Sequence, residues 1–244
     1  MMKTTCYTIL SDRVGRKYTV ALVPDIHNKK HDAVITALRE TRPDVIAVAG
    51  DLMMWLARED DEKTEKKNEL GFEFLKAAAS VAPTFYSLGN HEAGISNKNA
   101  EKVRKTGAVL LDNDYAFFGD LVVGGLSSAS CHGHVGETPS PSLGWLDGYE
   151  REDGFRLLLC HHPEYYPKYL KDRGLDAVLA GHAHGGQWRF FGHGIYAPGQ
   201  GLFPKLTSGI HDGKLVISRG LANHVPIPRL FNGPEFVLLT IKKA

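Results

Sequence analysis

The sequence is poor in cysteine and has no long apolar run. Its three cysteines, Cys6, Cys131 and Cys160, are widely spaced and form no Cys-x-x-Cys pair. Neither a disulfide-stabilised secreted fold nor a zinc site built from clustered thiolates is therefore expected. No apolar stretch has the length of a membrane-spanning helix, and residues 1–11 lack the apolar core of a secretory signal. These absences predict a cytoplasmic protein without a transmembrane segment.

A charge excess of either sign is also missing. Lys and Arg total 29 and Asp and Glu total 28, which gives a formal net charge of +1. The chain thus lacks the basic field that holds nucleic acid nonspecifically, and no nucleic-acid patch is evident. Its length and its 43% hydrophobic content suit one domain with a sizeable core. Because no repeat or linker interrupts the chain, we expect residues 1–244 to form a single domain.

Short apolar runs bounded by turn residues predict the secondary structure. Helical spacing of apolar residues predicts helices over 32–39 and 68–80. The predicted strands cover 18–23, 45–49, 84–88, 121–123, 155–160, 177–180, 215–218 and 236–241. Helices thus alternate with strands in the first half, whereas loops mostly separate the strands of the second half. This order predicts an α/β (α+β) fold of layered sheets flanked by helices.

Two segments look like insertions at the surface. Residues 58–67 mix both charge signs, which is typical of a solvated face. Residues 127–153 are rich in Ser, Gly and Pro and follow a predicted strand. This second segment is either a lid over the functional site or an ordinary surface loop whose Trp145 and Tyr149 form a small cluster of their own.

Residues that bind metal ions in proteins follow five of the predicted strands. In chain order they are Asp25 and His27, Asp51, the Asn90-His91-Glu92 run, His161 and His162, and His182 and His184. Loops beyond the carboxyl ends of strands share one edge of an open sheet, so these side chains are expected to converge. Imidazole, carboxylate and amide donors suit manganese, iron or zinc. The sequence therefore predicts a catalytic metal site.

The spacing within the clusters supports this interpretation. Alternate side chains of an extended segment point to the same side, so Asp25 can act together with His27, and His182 with His184. Gly50, Gly89 and Gly181 each come directly before a candidate ligand. Glycine at such positions permits a tight turn or a close backbone approach.

The order Asp-x-His, Gly-Asp, Gly-Asn-His-Glu, a further His and Gly-His-x-His resembles the calcineurin-like metallophosphoesterases. The stretches Gly185-Gly186-Gln187, 197–204, 218–221 and 232–235 are similar to a bacterial subgroup of small, phosphodiesterase-like members. The resemblance implies a two-sheet β-sandwich flanked by helices, with the active site at the carboxyl ends of the strands. It also implies two divalent metal ions.

By position, the resemblance assigns a role to each candidate. Asp25, His27 and His184 are expected to bind one metal, Asn90, His161 and His182 the other, and Asp51 both. His91 is expected to act near the leaving group, where an imidazolium donates a proton or stabilises charge. A hydroxide that bridges the metals would attack the phosphorus atom of a small phosphoester substrate.

The segment after Asp51 departs from one branch of the family. Protein phosphatases have Gly-Asp-x-x-Asp-Arg-Gly, whereas this chain has Met54 in place of the second Asp and lacks the Arg. We therefore expect hydrolysis of a phosphodiester or pyrophosphate bond. The alternatives are a phosphomonoesterase acting on a small metabolite and, from another class, a binding scaffold without activity. Met54 also leaves open what orients His91, for which Glu92 is a candidate.

Four further residues are candidates for substrate contact. His162 follows a predicted ligand, and a hydrogen-bonded loop histidine is the alternative role for it. His132 and His134 belong to the 127–153 segment and would reach substrate if that segment were a lid. Arg219 could bind a phosphate through two N–H groups, or it could form a structural ion pair.

Overall fold

A computed structural model of the protein describes residues 2–54, 56, 62–129, 138–223 and 225–244, with the backbone alone at 62–65. The helices in this part of the chain are α1 (Asp32–Thr41), α2 (Glu62–Ala79), α3 (Asn97–Lys105) and α4 (Leu146–Tyr149), with a π-helical turn at Tyr166–Leu170 and a 3-10 turn at His184–Gly186. The strands are β1 (Lys3–Leu10), β2 (Tyr18–Leu22), β3 (Val45–Ala49), β4 (Thr84–Ser87), β5 (Val109–Leu111), β6 (Asp114–Phe118), β7 (Leu121–Leu126), β8 (Phe155–Cys160), β9 (Ala177–Ala180), β10 (Arg189–Phe190), β11 (His193–Gly194), β12 (Tyr196–Ala197), β13 (Gly201–Leu202), β14 (Gly209–His211), β15 (Leu215–Ile217) and β16 (Glu235–Lys242).

Twelve of these strands form two six-stranded sheets. The first sheet has the order β1-β16-β2-β3-β4-β5, and β2 to β5 run parallel to one another. The second has the order β14-β15-β9-β8-β7-β6, in which β15, β9, β8 and β7 are parallel. The remaining strands form two short hairpins, β10–β11 and β12–β13.

The two sheets pack face to face around a buried apolar layer. Val20 and Leu22 of β2 belong to the same buried cluster as Leu157 and Leu159 of β8. These residues alternate along their strands because successive side chains point to opposite faces of a sheet. The structure therefore confirms the predicted mixed fold with two sheets.

Helices cover the outer face of each sheet. On the first sheet, Leu38 of α1, Phe74 of α2 and Val103 of α3 pack against the side of β3 that carries Ile46 and Val48. On the second sheet, α4 and the π-helical turn pack their buried side chains against the outward residues of β8 and β9. The layers are thus helix, sheet, sheet, helix. None of the described helices is both long and apolar enough to cross a membrane.

Most differences from the prediction concern short or polar elements. The strands at 45–49, 155–160 and 177–180 have the predicted bounds, whereas α2 begins at Glu62 and not at residue 68. Helix α3 was not predicted, because its sequence Asn-Lys-Asn-Ala-Glu-Lys-Val-Arg-Lys has few apolar residues. Its start is stabilised by Ser96, whose hydroxyl accepts a hydrogen bond from the backbone N–H of Asn99.

The 127–153 segment contains the short helix α4. The side chain of Tyr149 is fully buried in the outer core of the second sheet, and Trp145 packs beside it. These two aromatics thus form part of the core on that side of the sheet and do not belong to a lid. Residues 130–137 lie outside the described part of the chain, and the lid interpretation of that portion stays a prediction.

We expect Leu157→Ala to lower the free energy of unfolding by about 2 to 5 kcal/mol, because it removes a fully buried side chain between the sheets. Urea denaturation followed by circular dichroism measures this change. Leu10→Ala serves as the control, because Leu10 lies on β1 and is 57% exposed, and we expect its effect to be at most about 0.5 kcal/mol. Similar losses for the two variants would contradict a core between the sheets.

Candidate metal centre

All five predicted clusters lie just beyond the carboxyl ends of parallel strands. The loops that carry them follow β2, β3 and β4 of the first sheet and β8 and β9 of the second. Five of the seven predicted metal ligands have positive backbone φ angles: Asp25 (58°), His27 (49°), Asp51 (52°), His182 (64°) and His184 (45°). Residues other than glycine rarely adopt this conformation, and it is concentrated at functional sites. The strain indicates that the loops are shaped for their side chains.

Asp25, His27 and His184 form one group of possible ligands. The Nε2 atom of His184 is 3.7 Å from Oδ1 of Asp25 and 3.3 Å from Nε2 of His27. Nε2 of His27 is in turn 3.9 Å from Oδ1 of Asp25. Asp25 and His27 are buried. A cation among these atoms would therefore be held by two imidazoles and one carboxylate, as the sequence predicts.

Asp51, His161 and His182 form a second possible group, and Asp51 connects it to the first. Oδ2 of Asp51 is 3.1 Å from Nε2 of His161 and 4.0 Å from Nε2 of His27. Its carboxylate thus lies between the two sets of imidazoles. This position agrees with the bridging role predicted for Asp51.

The donor atoms fit a metal ion. Nδ1 of His161 is 2.8 Å from the carbonyl oxygen of Ala49, and donation to that oxygen leaves Nε2 as the acceptor of the ring. Nε2 of His161 lies 3.1 Å from Oδ2 of Asp51, whereas Oδ1 of Asn90 is a buried atom for which the described residues provide no hydrogen-bond partner. Buried polar atoms are rarely left in this condition. Binding of a divalent cation would satisfy the Asn90 oxygen.

The charges in the site depend on one another. Burial raises the pKa of Asp25 to about 7. Burial also disfavours the charged form of His161, but the negative charge and hydrogen bond of Asp51 outweigh it and raise the pKa of His161 to about 10. Burial by itself would raise the pKa of Asp51, but the charge and hydrogen bond of His161 outweigh burial and hold this pKa well below its ordinary value. Protonated His161 and ionised Asp51 thus stabilise each other when no cation is bound.

The Glu92 side chain organises two of the ligand loops. Its fully buried carboxylate accepts hydrogen bonds from the backbone N–H groups of Gly89 (2.8 Å), Asp51 (2.9 Å) and Met53 (2.7 Å). Glu92 therefore ties the loop after β3 to the loop after β4. The suggestion that it orients His91 receives no support from this position, because the carboxylate faces the backbone.

His91 lies beside Asp51 at the mouth of the site. Its backbone N–H donates to Oδ1 of Asp51 (3.1 Å), and its ring Nε2 is 3.8 Å from Oδ2 of the same carboxylate. The side chain is partly exposed and lines a cleft of about 310 Å³. A group in this place can reach a molecule in the cleft, as the predicted acid role requires.

Two charged residues near the site were not singled out from the sequence. Glu164 is buried, and its Oε1 lies 3.2 Å from Nδ1 of His162 and 3.8 Å from Nε2 of His182. Nη2 of Arg229 lies 2.7 Å from Nδ1 of His184. The spacing of Glu164 from His161 could have drawn attention to it, whereas nothing in the local sequence around Arg229 indicates this contact.

Glycines allow the backbone to approach the two carboxylates closely. A Cβ atom at Gly181 or Gly220 would lie 2.6 Å from Oδ2 of Asp25, and one at Gly89 would lie 2.1 Å from Oδ1 of Asp51. No side chain fits such distances. Gly89 and Gly181 thus serve close approach, and Gly50, with φ of 83°, serves the turn. Gly220 contacts Asp25 from a distant part of the chain.

The four residues predicted to contact substrate have different outcomes in the structure. His162 packs against His182 with ring centroids 4.0 Å apart, and its Nδ1 faces Glu164. Arg219 is not brought to the metal ligands, because its Nε pairs with Oε1 of Glu235 at 3.4 Å and it lines a separate cavity. This placement supports the structural ion pair for Arg219. The predicted substrate contacts of His132 and His134 lie outside the described residues.

The cleft has one polar and one apolar side. Asp51, Asn90, His91, His182 and His184 line the polar side. The apolar side is formed by Tyr196, Pro198, Val225 and Ile227, and Gln187 and Asn223 also line the cleft, where both donate to the carbonyl oxygen of Ile227. Such a cleft suits a molecule with a charged centre and an organic substituent.

Comparison with known proteins agrees with this site. The family model for calcineurin-like phosphoesterases matches residues 18–186, a stretch that includes every candidate metal ligand. The chain therefore belongs to the calcineurin-like phosphoesterase family, whose activity is metal-dependent hydrolysis of phosphoesters.

Several relatives can be aligned over most of the chain. A metallophosphoesterase of Campylobacter jejuni is 29% identical over 91% of this chain, and the chain spans 59% of that relative's length. A Bacillus subtilis protein is 23% identical over 98% of this chain and 87% of its own. Phosphodiesterase YaeI of Escherichia coli is 26% identical over 70% of this chain and 62% of its own.

We expect Gly181→Ala to weaken Mn²⁺ binding about 10- to 100-fold, because its methyl group would displace the Asp25 carboxylate. Isothermal titration calorimetry with MnCl₂ measures the affinity. Gly148→Ala is the control, because a Cβ atom at Gly148 would meet nothing within 4 Å. Unchanged affinity in Gly181→Ala would contradict a role for Asp25 in metal binding.

We also expect the affinity for Mn²⁺ to rise about tenfold per pH unit between pH 6 and pH 8 for each proton that is displaced. His161, with a pKa of about 10, keeps its proton throughout this range in the metal-free protein. A metal ion must therefore release that proton in order to bind. Titrations in two buffers of different ionisation enthalpy count the protons released, and an affinity independent of pH would contradict protonation of the free site.

Proposed function

We propose that the protein hydrolyses a phosphodiester or pyrophosphate bond at a centre of two divalent metal ions. One observation carries the proposal: donors from five strand ends surround Asp51, which lies between two groups of imidazoles, and Asp51, Asn90, His182 and His184 line one cleft. A single cation would need only about four to six of these donors. The number of donors and the central carboxylate therefore favour two ions.

Each side chain takes a part in this proposal. Asp25, His27 and His184 would hold one ion, Asn90, His161 and His182 the other, and Asp51 would contact both. Bound manganese, iron or zinc would supply a nucleophile by acidifying a water molecule and would neutralise the charge of the phosphate. Burial holds the pKa of His182 well below its ordinary value, so its ring is neutral and suited to binding a cation.

His91 would assist departure of the leaving group. It lies at the cleft, and its Nε2 is 3.8 Å from Oδ2 of the Asp51 carboxylate. A protonated imidazole can donate a proton to the departing oxygen or stabilise the negative charge that develops on it. Both actions accelerate hydrolysis without a covalent enzyme intermediate.

Three observations favour a diester over a monoester. The apolar side of the cleft, which includes Tyr196 and Ile227, offers contacts to an organic group on the phosphate. Among the relatives, one carries the name phosphodiesterase. The protein-phosphatase motif with Asp at position 54 and an Arg is also missing from the chain. We infer a small phosphoester as the substrate, and location in the cytoplasm stays a prediction.

The single-domain organisation of residues 1–244 belongs to the same proposal. Strand β1 and strand β16, from opposite ends of the chain, pair in parallel at the edge of the first sheet. Residues of both sheets also share one buried cluster. These contacts support one folding unit.

We expect manganese-loaded protein to hydrolyse bis-p-nitrophenyl phosphate faster than p-nitrophenyl phosphate, with no turnover in the metal-free protein. Release of p-nitrophenol measures both rates. A faster rate with the monoester would favour the phosphomonoesterase alternative. Absence of turnover with either compound, despite two bound metal ions, would favour the binding scaffold.

We expect Asp51→Ala to abolish turnover and to lose bound metal, because it removes the carboxylate between the two groups of ligands. His91→Ala should retain both ions and lose about 10²- to 10⁴-fold in kcat, because only the acid is removed. Metal analysis and steady-state kinetics test both variants. Loss of metal from His91→Ala would contradict its assignment as an acid and make it a ligand.

A further inference from the structure

Exposed apolar side chains are concentrated in one part of the chain. Of the fourteen large apolar residues that the described part of the protein exposes, eleven lie between residues 188 and 231. Phe191, Phe203 and Phe231 are the most exposed, with 102%, 74% and 80% of their surface accessible. Scattered exposed apolar residues are normal, but a concentration of them marks an interaction site. We refer to the exposed apolar side chains of 188–231 as the apolar patch.

The segments that carry the apolar patch are in contact with one another. Trp188 pairs with Leu230 in an isolated β-bridge. The rings of Phe190 and Phe231 are 5.6 Å apart. The backbone N–H of Phe203 donates to the carbonyl oxygen of Ile195 (2.8 Å), and the N–H of Ile195 donates to the carbonyl oxygen of Trp188 (2.9 Å), so Ile195 joins the two hairpins. The segments around Trp188, Phe203 and Phe231 therefore adjoin one another, although they are separate in the chain.

The three most exposed phenylalanines also have strained backbones. The φ angles are 49° at Phe191, 53° at Phe203 and 54° at Phe231. Glycine or asparagine adopts this conformation at lower cost than a bulky aromatic residue does. Each position thus combines an unfavourable backbone with an unfavourably exposed ring. Neither feature stabilises the fold, which indicates that the rings serve a contact outside the molecule.

The same region carries an excess of positive charge. Residues 187–231 contain five Lys or Arg residues and one Asp, whereas the whole chain has 29 basic and 28 acidic residues. Lys205 is exposed and lies two residues from Phe203, whereas the other four basic residues are partly buried and contact neighbouring groups, as Arg219 does with Glu235. Aromatic side chains next to basic ones suit the interface of a membrane that contains anionic lipids, where rings enter the headgroup layer and cations meet the phosphates.

We propose that the apolar patch docks the protein on the surface of an anionic lipid bilayer. The phenylalanines insert their rings among the headgroups, and the nearby cations add attraction that depends on salt. The apolar side of the metal-centre cleft belongs to the same patch through Tyr196, Val225 and Ile227. Docking therefore brings the cleft to the bilayer, where phosphoester headgroups are present. Bilayer binding itself does not depend on the proposed hydrolysis.

Flotation of the manganese-loaded protein with vesicles tests this proposal. We expect it to float with vesicles of phosphatidylcholine and phosphatidylglycerol, and to float less with phosphatidylcholine alone. Added NaCl should reduce binding to the anionic vesicles, because it screens the basic residues. The measurement requires no turnover, so it is informative even if the protein does not hydrolyse a phosphoester. Absence of flotation with both kinds of vesicle would overturn the proposal.

Substitution by asparagine separates docking from folding. The triple variant Phe191→Asn, Phe203→Asn, Phe231→Asn should keep or raise the Tm, because asparagine tolerates positive φ better, and should lower the vesicle partition coefficient at least tenfold. Phe117→Thr is the matched control, because Phe117 is 60% exposed and lies on β6, outside the patch. It should bind vesicles as the unmodified protein does.

Self-association through the patch is the competing outcome. Sedimentation equilibrium distinguishes it, because a second copy bound to the patch would give a dimer that the asparagine variant lacks. A monomer that floats with anionic vesicles supports docking on the bilayer. A dimer that does not float would overturn the proposal and assign the patch to contact between copies. Equal flotation of the triple variant and the unmodified protein would also overturn it.

Discussion

The burial of the Asp25 and Asp51 carboxylates beneath a shared set of imidazoles is the constraint on which the site depends. Two carboxylates cannot remain charged in a buried site without nearby positive charge. In the free protein, His161 provides that charge to Asp51, and burial leaves Asp25 with a pKa near 7. Divalent cations would take over this role. Because a bound cation would supply this positive charge, metal binding would stabilise the loops at the strand ends.

The backbone of the surrounding loops is strained in this arrangement. Positive φ angles at Asp25, Asp51 and His182 hold the side chains inward, and Gly89 and Gly181 leave room for the carboxylates. The buried Glu92 offsets part of the cost, because it accepts three backbone N–H groups from the two loops that flank it. The rigid sheets below supply the support that such loops need.

The first half of the fold and the candidate ligands were predictable because they depend on local patterns. Strand β3 is a short, wholly apolar run, and the ligands follow such runs directly, as Asp51 follows β3. Strand β1 was not predicted, because its mixture of polar and apolar residues is that of a strand at the edge of the sheet. Glu164 and Arg229 were not predicted as site residues, because they contact histidines that come close to them only when the chain folds.

The sequence by itself determined the family, the two-sheet class and the identity of the possible ligands, because apolar periodicity and ordered motifs are local properties. Only the tertiary structure decided that Gly220 packs on Asp25 and that Arg219 pairs with Glu235 away from the cleft. It also brings the exposed rings of Phe190 and Phe231 together from loops that are far apart in the chain. Those outcomes depend on which loops the sheet topology makes neighbours. Distances between residues remote in sequence are fixed by packing, and no local pattern encodes them.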